Sequence, residues 1–516
     1  MPDFSMPSWN IPLWVHNLIA ISNFVFLIFI LFFERKESRR RFVWILILFF
    51  LPSGIGIVLY ILFSGHIFTA TKRMRDLNAT VWQFSAPMRE RQKKLLAQRR
   101  TSLSNHVIKS FMPLVDMNLT EGNSLLTYAE NTAIFTYGAA FFDDLCRELE
   151  EAKHSINMEF FIYRQDKIGT KVMEILCRKA REGVEVKLLY DDFGCFLTRV
   201  RFFHRLDAAG GKSRPFFLVR VGLPLTLNYR NHRKVVIIDS RIAYTGGMNL
   251  ADEYANWNPR RKLNWRDTMV KMEGNCVLAL QSNFLGDWYS QEAWLNRSKT
   301  IESMLRYFPP SFAQNFLDVS VGREDLMQAM FSKGRITTQV ITNDPSDSKK
   351  ANIEDAFIRL IMGARRNIYI ETPYFTPDEE FQNALKIASY SGVKISIVIP
   401  GDWDKFFMKA ASSDFAREMC ADGIRFYIYP GFIHSKMLSV DGKVSSIGTT
   451  NIDNRSFSLH FEENVIFYDE RFTARCDAII ERDMQHSQAV TKDFFDRKPL
   501  PVRAFWSFCR LFSPLM

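Results

Sequence analysis

Cysteine is scarce in this sequence and unpaired. The 516 residues include seven, at positions 146, 177, 195, 276, 420, 476 and 509, with no Cys-x-x-Cys spacing among them. An odd, scattered set supports neither a disulfide framework nor a zinc site; it reads as small core residues facing a reducing compartment. Acidic charge is also in deficit. Lys and Arg number 67 against 56 Asp and Glu, a formal net charge of +11. That balance points to an anionic partner, nucleic acid or acidic lipid, although a solvated basic surface gives the same count.

Charge of either sign is missing from Ile11 to Phe33 and again from Phe42 to Phe63. At about 1.5 Å rise per residue the first run is long enough for a hydrocarbon core of roughly 30 Å. The second holds Pro52, Gly54 and Gly56 and reads as a broken or kinked span. A cleaved signal peptide would need a basic stretch before Ile11 and a small-x-small site after the apolar run, and neither is there. The sequence thus predicts a transmembrane hairpin over residues 1–66. Its sidedness is contested. The basic connector 34–41 would stay in the cytoplasm by the positive-inside rule, whereas Lys72, Arg73, Arg75 and the unpaired cysteines favour a cytosolic C-terminal part. The balance leans to the cytosol, with the second run re-entrant. Within a basic juxtamembrane stretch, 67–125, the segment Arg89–Arg100 predicts a helix that lies on anionic headgroups or is simply solvated.

What the chain does have is a repeat. His232-x-Lys234-x4-Asp239 recurs as His434-x-Lys436-x4-Asp441, and each copy is followed at the same distance by a glycine-led tetrapeptide, Gly246-Gly-Met-Asn249 and Gly448-Thr-Thr-Asn451. The surroundings repeat too. Ser155–Ile162 and Asn367–Tyr374 are apolar, strand-forming runs, and each precedes a helical stretch ended by a Gly-Val pair, Gly183-Val184 and Gly392-Val393, that opens another strand. Val235–Ile238 and Met437–Val440 add a strand after each histidine. The expected architecture is α/β: two domains, 126–325 and 335–516, each a sheet covered by helices and related by a pseudo-twofold axis, with the join near 320–340.

Residues i and i+2 of a strand share a face, so each His projects with its Lys. Neither half holds a complete acid–base pair; two halves facing one another would bring both imidazoles to one phosphorus. One neutral imidazole attacks, and the other protonates the departing alkoxide and then deprotonates the incoming hydroxyl. Lys234, Lys436, Asn249 and Asn451 can hold the non-bridging oxygens, so no metal or other cofactor is called for. Asp239 and Asp441 complete the catalytic signature, yet strand alternation moves them off their own histidines and points to hydrogen bonds at the strand end. A carboxylate must still orient each imidazole, and Glu462 and Asp267, each following its motif's asparagine, are the candidates.

On these motifs the chain resembles the phospholipase D superfamily, and its flanks resemble the bacterial cardiolipin synthases. The matching stretches are Asn231–Leu250, Asp252-Glu-Tyr254, Trp265-Arg-Asp-Thr268, Glu371–Asp378, His434–Asn451, Arg455-Ser-Phe457, Phe461-Glu462 and the ending Leu511–Leu515. The likeness runs nearly end to end. It implies two phospholipase D-like domains behind a membrane hairpin, in a multi-pass protein of the bacterial membrane. It also implies transfer of a phosphatidyl group between two phosphatidylglycerols, giving cardiolipin and glycerol without a metal. His232 would be the nucleophile and His434 the acid/base; Glu462 would hold His434, with Asp267 the equivalent for His232. Met269 and His460 depart from the family pattern, where His and Asn are usual, and leave acceptor choice open.

The stretch 196–227 mixes Phe202, Phe203, Phe216, Phe217, Leu218 and Leu223 with arginines and lysines, to meet lipid or to fill a core. Hydrolysis at the same site, as a phospholipase D or a nuclease, and another phosphatidyltransferase activity are the alternatives. A nuclease does not explain the apolar runs, so no nucleic-acid partner is expected. A non-catalytic membrane scaffold does not explain two complete motifs.

Overall fold

The computed structural model describes residues 12–33, 38–50, 55–63, 85–97, 105–219, 228–257, 263–291, 302–308, 334–346 and 352–515. The expected join near 320–340 falls largely outside these residues.

One sixteen-stranded sheet carries both halves. At its middle Leu126–Phe135 pairs antiparallel with Ile336–Asn343. Outward from this pair the order repeats on both sides. The first half runs Met269–Glu273, Ile242–Gly246, Lys234–Ile238, Ser155–Phe160, Glu185–Asp191, Lys212–Phe216. The second runs His460–Tyr468, Val444–Gly448, Met437–Val440, Asn367–Glu371, Lys394–Pro400, Arg425–Tyr429. The expected pseudo-twofold therefore passes through the central pair, and the duplication lies within a continuous sheet.

Helices repeat with the strands. Gly138–Glu151, Lys167–Arg181, Val200–Ala208 and Cys276–Ser290 correspond to Ile353–Gly363, Glu379–Tyr390, Phe406–Ala421 and Glu470–Gln485. Because helices cover both faces, the inner strands bury every residue: Lys234–Ile238 and Met437–Val440 are buried throughout. All seven cysteines are free; six are buried and Cys420 is partly so.

The basic stretch at 89–100 behaves differently from either expectation. Residues 85–97 form a helix whose Leu95 and Leu96 enter the core of the second half. Gln92 hydrogen-bonds both backbone groups of Leu126, at 2.9 Å each. Helix Met112–Thr120 follows into the same core, tied to the sheet where Gln339 donates to the carbonyls of Ser124, 2.8 Å, and Val115, 3.3 Å. Leucines interleaved with the basic residues carried that inward face.

The N-terminal apolar runs form helices Leu13–Phe33, Ser38–Phe50 and Ile55–Phe63. Among the described residues no helix is long and apolar enough to cross a membrane. The second run is divided between two short helices of 13 and 9 residues, each well under the roughly 20 residues a span needs. Residues 51–54, with Pro52 and Gly54, lie between the two and outside the described residues. The structure thus does not support the expected transmembrane hairpin.

Candidate active site

Short strands exchanged between the halves build the site. Arg230–Asn231, just before the first signature histidine, pairs with His460–Phe461 of the second half. Trp265–Arg266 of the first half pairs with Phe432–Ile433, just before the second histidine. The histidine backbones lock the exchange: His232 N donates to Phe461 O at 2.9 Å and His434 N to Arg266 O at 2.7 Å. Each imidazole consequently lies against the other half's acidic segment.

The carboxylates are therefore crossed with respect to the sequence expectation. Glu462 holds His232, its Oε1 and Oε2 lying 2.9 and 3.1 Å from Nδ1. Asp267 holds His434, with Oδ2 2.6 Å from Nδ1. Both residues orient an imidazole, but in the opposite assignment, because the pairing is set by strands distant in sequence. With Nδ1–H directed at a carboxylate in each ring, both Nε2 atoms remain for a substrate.

Packing around the two carboxylates differs. A Cβ on Gly247 would stand 2.0 Å from Asp267 Oδ1, so only glycine lets the shorter acid approach. The matching Thr449 instead donates its hydroxyl to Glu462 Oε2. The residues two before each acid also differ. Trp265 meets the His434 ring edge-on at 5.3 Å, and His460 lies 5.4 Å from the His232 ring.

His460 is the site residue that the sequence showed only as a departure. Both its ring nitrogens are buried without a hydrogen-bond partner, and Nδ1 is 3.6 Å from Glu462 Oε1. It could have been found from strand alternation, since it stands two residues before Glu462 on one strand. His232, His460 and Glu462 offer ligand atoms within 4.8 Å of one another, a set that could hold a metal ion. Lys234, Lys436 and Arg230 crowd the same cluster and favour an anion there.

All signature cations and imidazoles share one electrostatic neighbourhood. Burial, then Lys234, His460, Lys436 and His434, hold His232 well below the usual imidazole range. Burial and Lys436 push His434 down to about 4 against the opposing pull of Asp267. Burial drives Lys234 down to about 7, offset by Glu462, and Lys436 down to about 8, offset by Asp267. Glu462 is pushed up to about 8 by desolvation, with Lys234 opposing. Each lysine Nζ donates one hydrogen bond to the carbonyl of its own motif's histidine, leaving two donors for phosphate oxygens.

These values fix a pH dependence. A bound phosphodiester anion favours the ammonium form, so the lysine pKa is higher in the complex than in the free protein. Below about 7 both states are protonated and KM is flat. Above it, binding takes up a proton and KM rises by up to about tenfold per pH unit per proton. KM measured from pH 6 to 9 checks this; a KM that falls with rising pH would contradict it.

The remaining predicted residues divide. Asn249 is occupied: Oδ1 accepts from Ile162 N at 3.0 Å and Nδ2 donates to the Tyr254 hydroxyl. Asn451 is buried and its Oδ1 has no hydrogen-bond partner. Asp239 and Asp441, counted with the catalytic set, lie at strand ends away from both imidazoles. Asp239 accepts from the amides of Lys153, His154 and Ser155 at 2.7–2.9 Å, and Asp441 from Arg365, Arg366 and Asn367 at 2.7–3.0 Å. Both take left-handed φ, 53° and 57°, which Asp tolerates. They fix the neighbouring strand in each half. Asp239→Ala is expected to cost about 2–4 kcal/mol of stability while leaving the pH–rate profile in place, checked by thermal melting beside kinetics.

Phe202, Phe203, Phe216 and Phe217 fill the core, whereas Phe196, Leu197 and Leu218 are exposed; Leu223 lies outside the described residues.

Duplicated α/β halves that bring two carboxylate-held histidines and two lysines into one buried cluster define a protein of the phospholipase D class. The comparisons carry this further. The family described as "Cardiolipin synthase, PLD-like domain" matches residues 145–286 and 357–484, and a "Phospholipase_D-nuclease N-terminal" family matches 21–65. The cardiolipin synthase of Listeria welshimeri is 32% identical over 501 residues, 97% of this chain and 98% of that one. The major cardiolipin synthase of Bacillus subtilis is 33% identical over 507 residues, again 97% and 98%. The phosphatidylserine synthase of Haemophilus influenzae superposes with a TM-score of 0.56 at 14% identity, covering 80% of this chain and 100% of that one, and so shares the fold. The chain belongs to the cardiolipin synthase family of the phospholipase D superfamily, enzymes that transfer phosphatidyl groups.

Proposed function

We propose that the chain condenses two phosphatidylglycerols into cardiolipin and glycerol through a phosphohistidine. The observation that carries this is the crossed dyad pair, which directs Nδ1 of each imidazole to a carboxylate and leaves both Nε2 atoms for one phosphodiester. His232, held neutral by burial and then by Lys234, His460, Lys436 and His434, attacks phosphorus through Nε2. The bond to the leaving glycerol oxygen breaks as this oxygen takes the Nε2 proton of His434, which becomes imidazolium when the bound phosphodiester anion offsets Lys436 and Lys234, the cations that, after burial, keep it neutral in the free protein. A hydroxyl of the second phosphatidylglycerol then yields its proton to His434 and attacks phosphorus, and the P–N bond breaks. Lys234 and Lys436 offset charge on the non-bridging oxygens throughout. No step needs a metal, so full activity in excess chelator is expected.

The apolar N-terminal helices anchor the chain in the membrane, with the catalytic body on the cytosolic side. Trp14, Leu18, Ile21, Phe24 and Phe32 are each more than 60% exposed along the first helix, an apolar surface too large to leave in water.

The purified full chain, given phosphatidylglycerol, is expected to release glycerol and cardiolipin in equal amounts. Phosphatidic acid as the main product would make the protein a phospholipase instead, since water would then have replaced the second lipid at the same phosphorus.

A further inference from the structure

We propose that the cleft itself is seated on an anionic bilayer through two apolar rims, one from each half, so that lipid enters from the membrane face. This rests on the lipid-transfer reading above. The rims are pseudo-twofold mates. In the first half Phe196 and Leu197, 63% and 75% exposed, precede helix Val200–Ala208; in the second Phe406 and Phe407, 61% and 47% exposed, open the corresponding helix Phe406–Ala421.

Both rims border the reacting groups. The first-half loop packs Gly194 against Phe161, whose ring lies 5.0 Å from that of His232. In the second half Lys405 is near enough to depress the basicity of His460, and Asp404 acts on Lys436. Aromatic rings exposed to water would bury one another, and Phe406 does meet Phe407, tilted at 3.9 Å, and stacks with Phe505 at 6.2 Å. The cluster nevertheless stays exposed and spreads along helix Leu500–Leu511.

That helix is amphipathic. Cys509 is buried against helix Phe406–Ala421, and Arg510 reaches Asp414, at 3.3 Å, and Glu418 on it. Leu500, Phe505, Phe508 and Leu511 face outward, between 40% and 70% exposed. Lys405 and Lys409 flank Phe406 and Phe407 in sequence, with Asp402 and Asp404 just before them, and Arg497 and Lys498 stand just before Leu500; all six are exposed, and the four cations suit anionic headgroups. Continuity with the apolar N-terminus commits the surface to a bilayer: helix Ser38–Phe50 packs against Ser513–Leu515, directly beyond the C-terminal helix.

The test uses the full chain reconstituted in phosphatidylglycerol/phosphatidylcholine vesicles and, separately, short-chain phosphatidylglycerol below its micelle concentration. The triple variant Phe406→Ser, Phe407→Ser, Phe505→Ser is expected to lose at least about tenfold in rate on vesicles and to stay within about twofold of the parent on the monomeric lipid. Equal losses on both, or an unchanged vesicle rate, would overturn the proposal. A parent chain inactive on both would instead sink the lipid-transfer reading. A photoactivatable phosphatidylcholine in the vesicles is expected to label 406–407 and 500–511 of the unaltered chain. Absence of label there, or cross-links between copies of the chain in its place, would equally overturn the bilayer as occupant.

Discussion

His232→Ala is expected to remove at least about four orders of magnitude from turnover and to abolish the phosphohistidine trapped by acid quench, whatever the leaving group. The nucleophile is lost; His460, whose ring lies 5.4 Å from that of His232, does not replace it, because its Nδ1 stands 3.6 Å from Glu462 Oε1 and no hydrogen bond holds its proton on that nitrogen. His434→Ala is expected to fall about as far with phosphatidylglycerol, because an alkoxide is a poor leaving group without a proton. The two variants separate on an activated substrate. A phosphatidyl p-nitrophenol needs no acid to depart, so His434→Ala should release one burst of p-nitrophenol per active site and then stall at the adduct. His232→Ala should give no burst. A burst in His232→Ala and none in His434→Ala would exchange the assigned roles.

Much of this site was legible because its chemistry sits on local patterns. The signature repeats, the apolar runs behind each histidine and the Gly-Val strand openings each belong to a few consecutive residues, and the sheet order follows them. Asp239 and Asp441 were likewise legible from strand alternation, and the structure places them where that argument put them, capping the backbone of Ser155 and Asn367. The pairing of carboxylates was not. It depends on Arg230–Asn231 meeting His460–Phe461 and on Trp265–Arg266 meeting Phe432–Ile433, contacts between segments more than 160 positions apart. Composition and period contain no register for strands that distant. The supporting cations and acids were hidden in the same way. Arg233 pairs with Asp287, and Arg266 with Asp483 and, at 3.5 Å, Glu371, all fully buried and all distant in sequence. Each arginine is the neighbour of a catalytic-site residue, so it holds that residue's backbone in place from behind.

The basic helix at 85–97 shows a complementary limit. Its charges were legible and drew the reading towards solvent or headgroups, whereas its two leucines decided the outcome. Burying them with Gln92 satisfied by Leu126 makes the segment part of the catalytic body, and the described N-terminal helices attach to the fold through the C-terminus instead. The exposed apolar residues of the C-terminal helix and of Phe406 and Phe407 thereby lie at the end of the chain on which helix Ser38–Phe50 packs.

The crossed dyads give the second large effect. Glu462→Gln leaves the shape of the cleft and removes the acceptor that fixes the His232 proton on Nδ1. A neutral amide can donate to Nδ1, which moves the proton to Nε2 and takes away the lone pair that attacks phosphorus. Formation of the phosphohistidine is expected to slow by about three orders of magnitude, with phosphatidylglycerol and with the p-nitrophenol ester alike. Asp267→Asn acts on His434 in the same manner, yet a proton on Nε2 is compatible with donating to a leaving group; what is lost is stabilisation of the imidazolium. Its defect should therefore be large with phosphatidylglycerol and largely relieved in the p-nitrophenol burst. Had Glu462 served His434, the pattern would invert, with the burst surviving in Glu462→Gln and failing in Asp267→Asn. The experiment thus reads the strand exchange itself: the half of the chain that supplies the acid decides which chemical step the substitution slows.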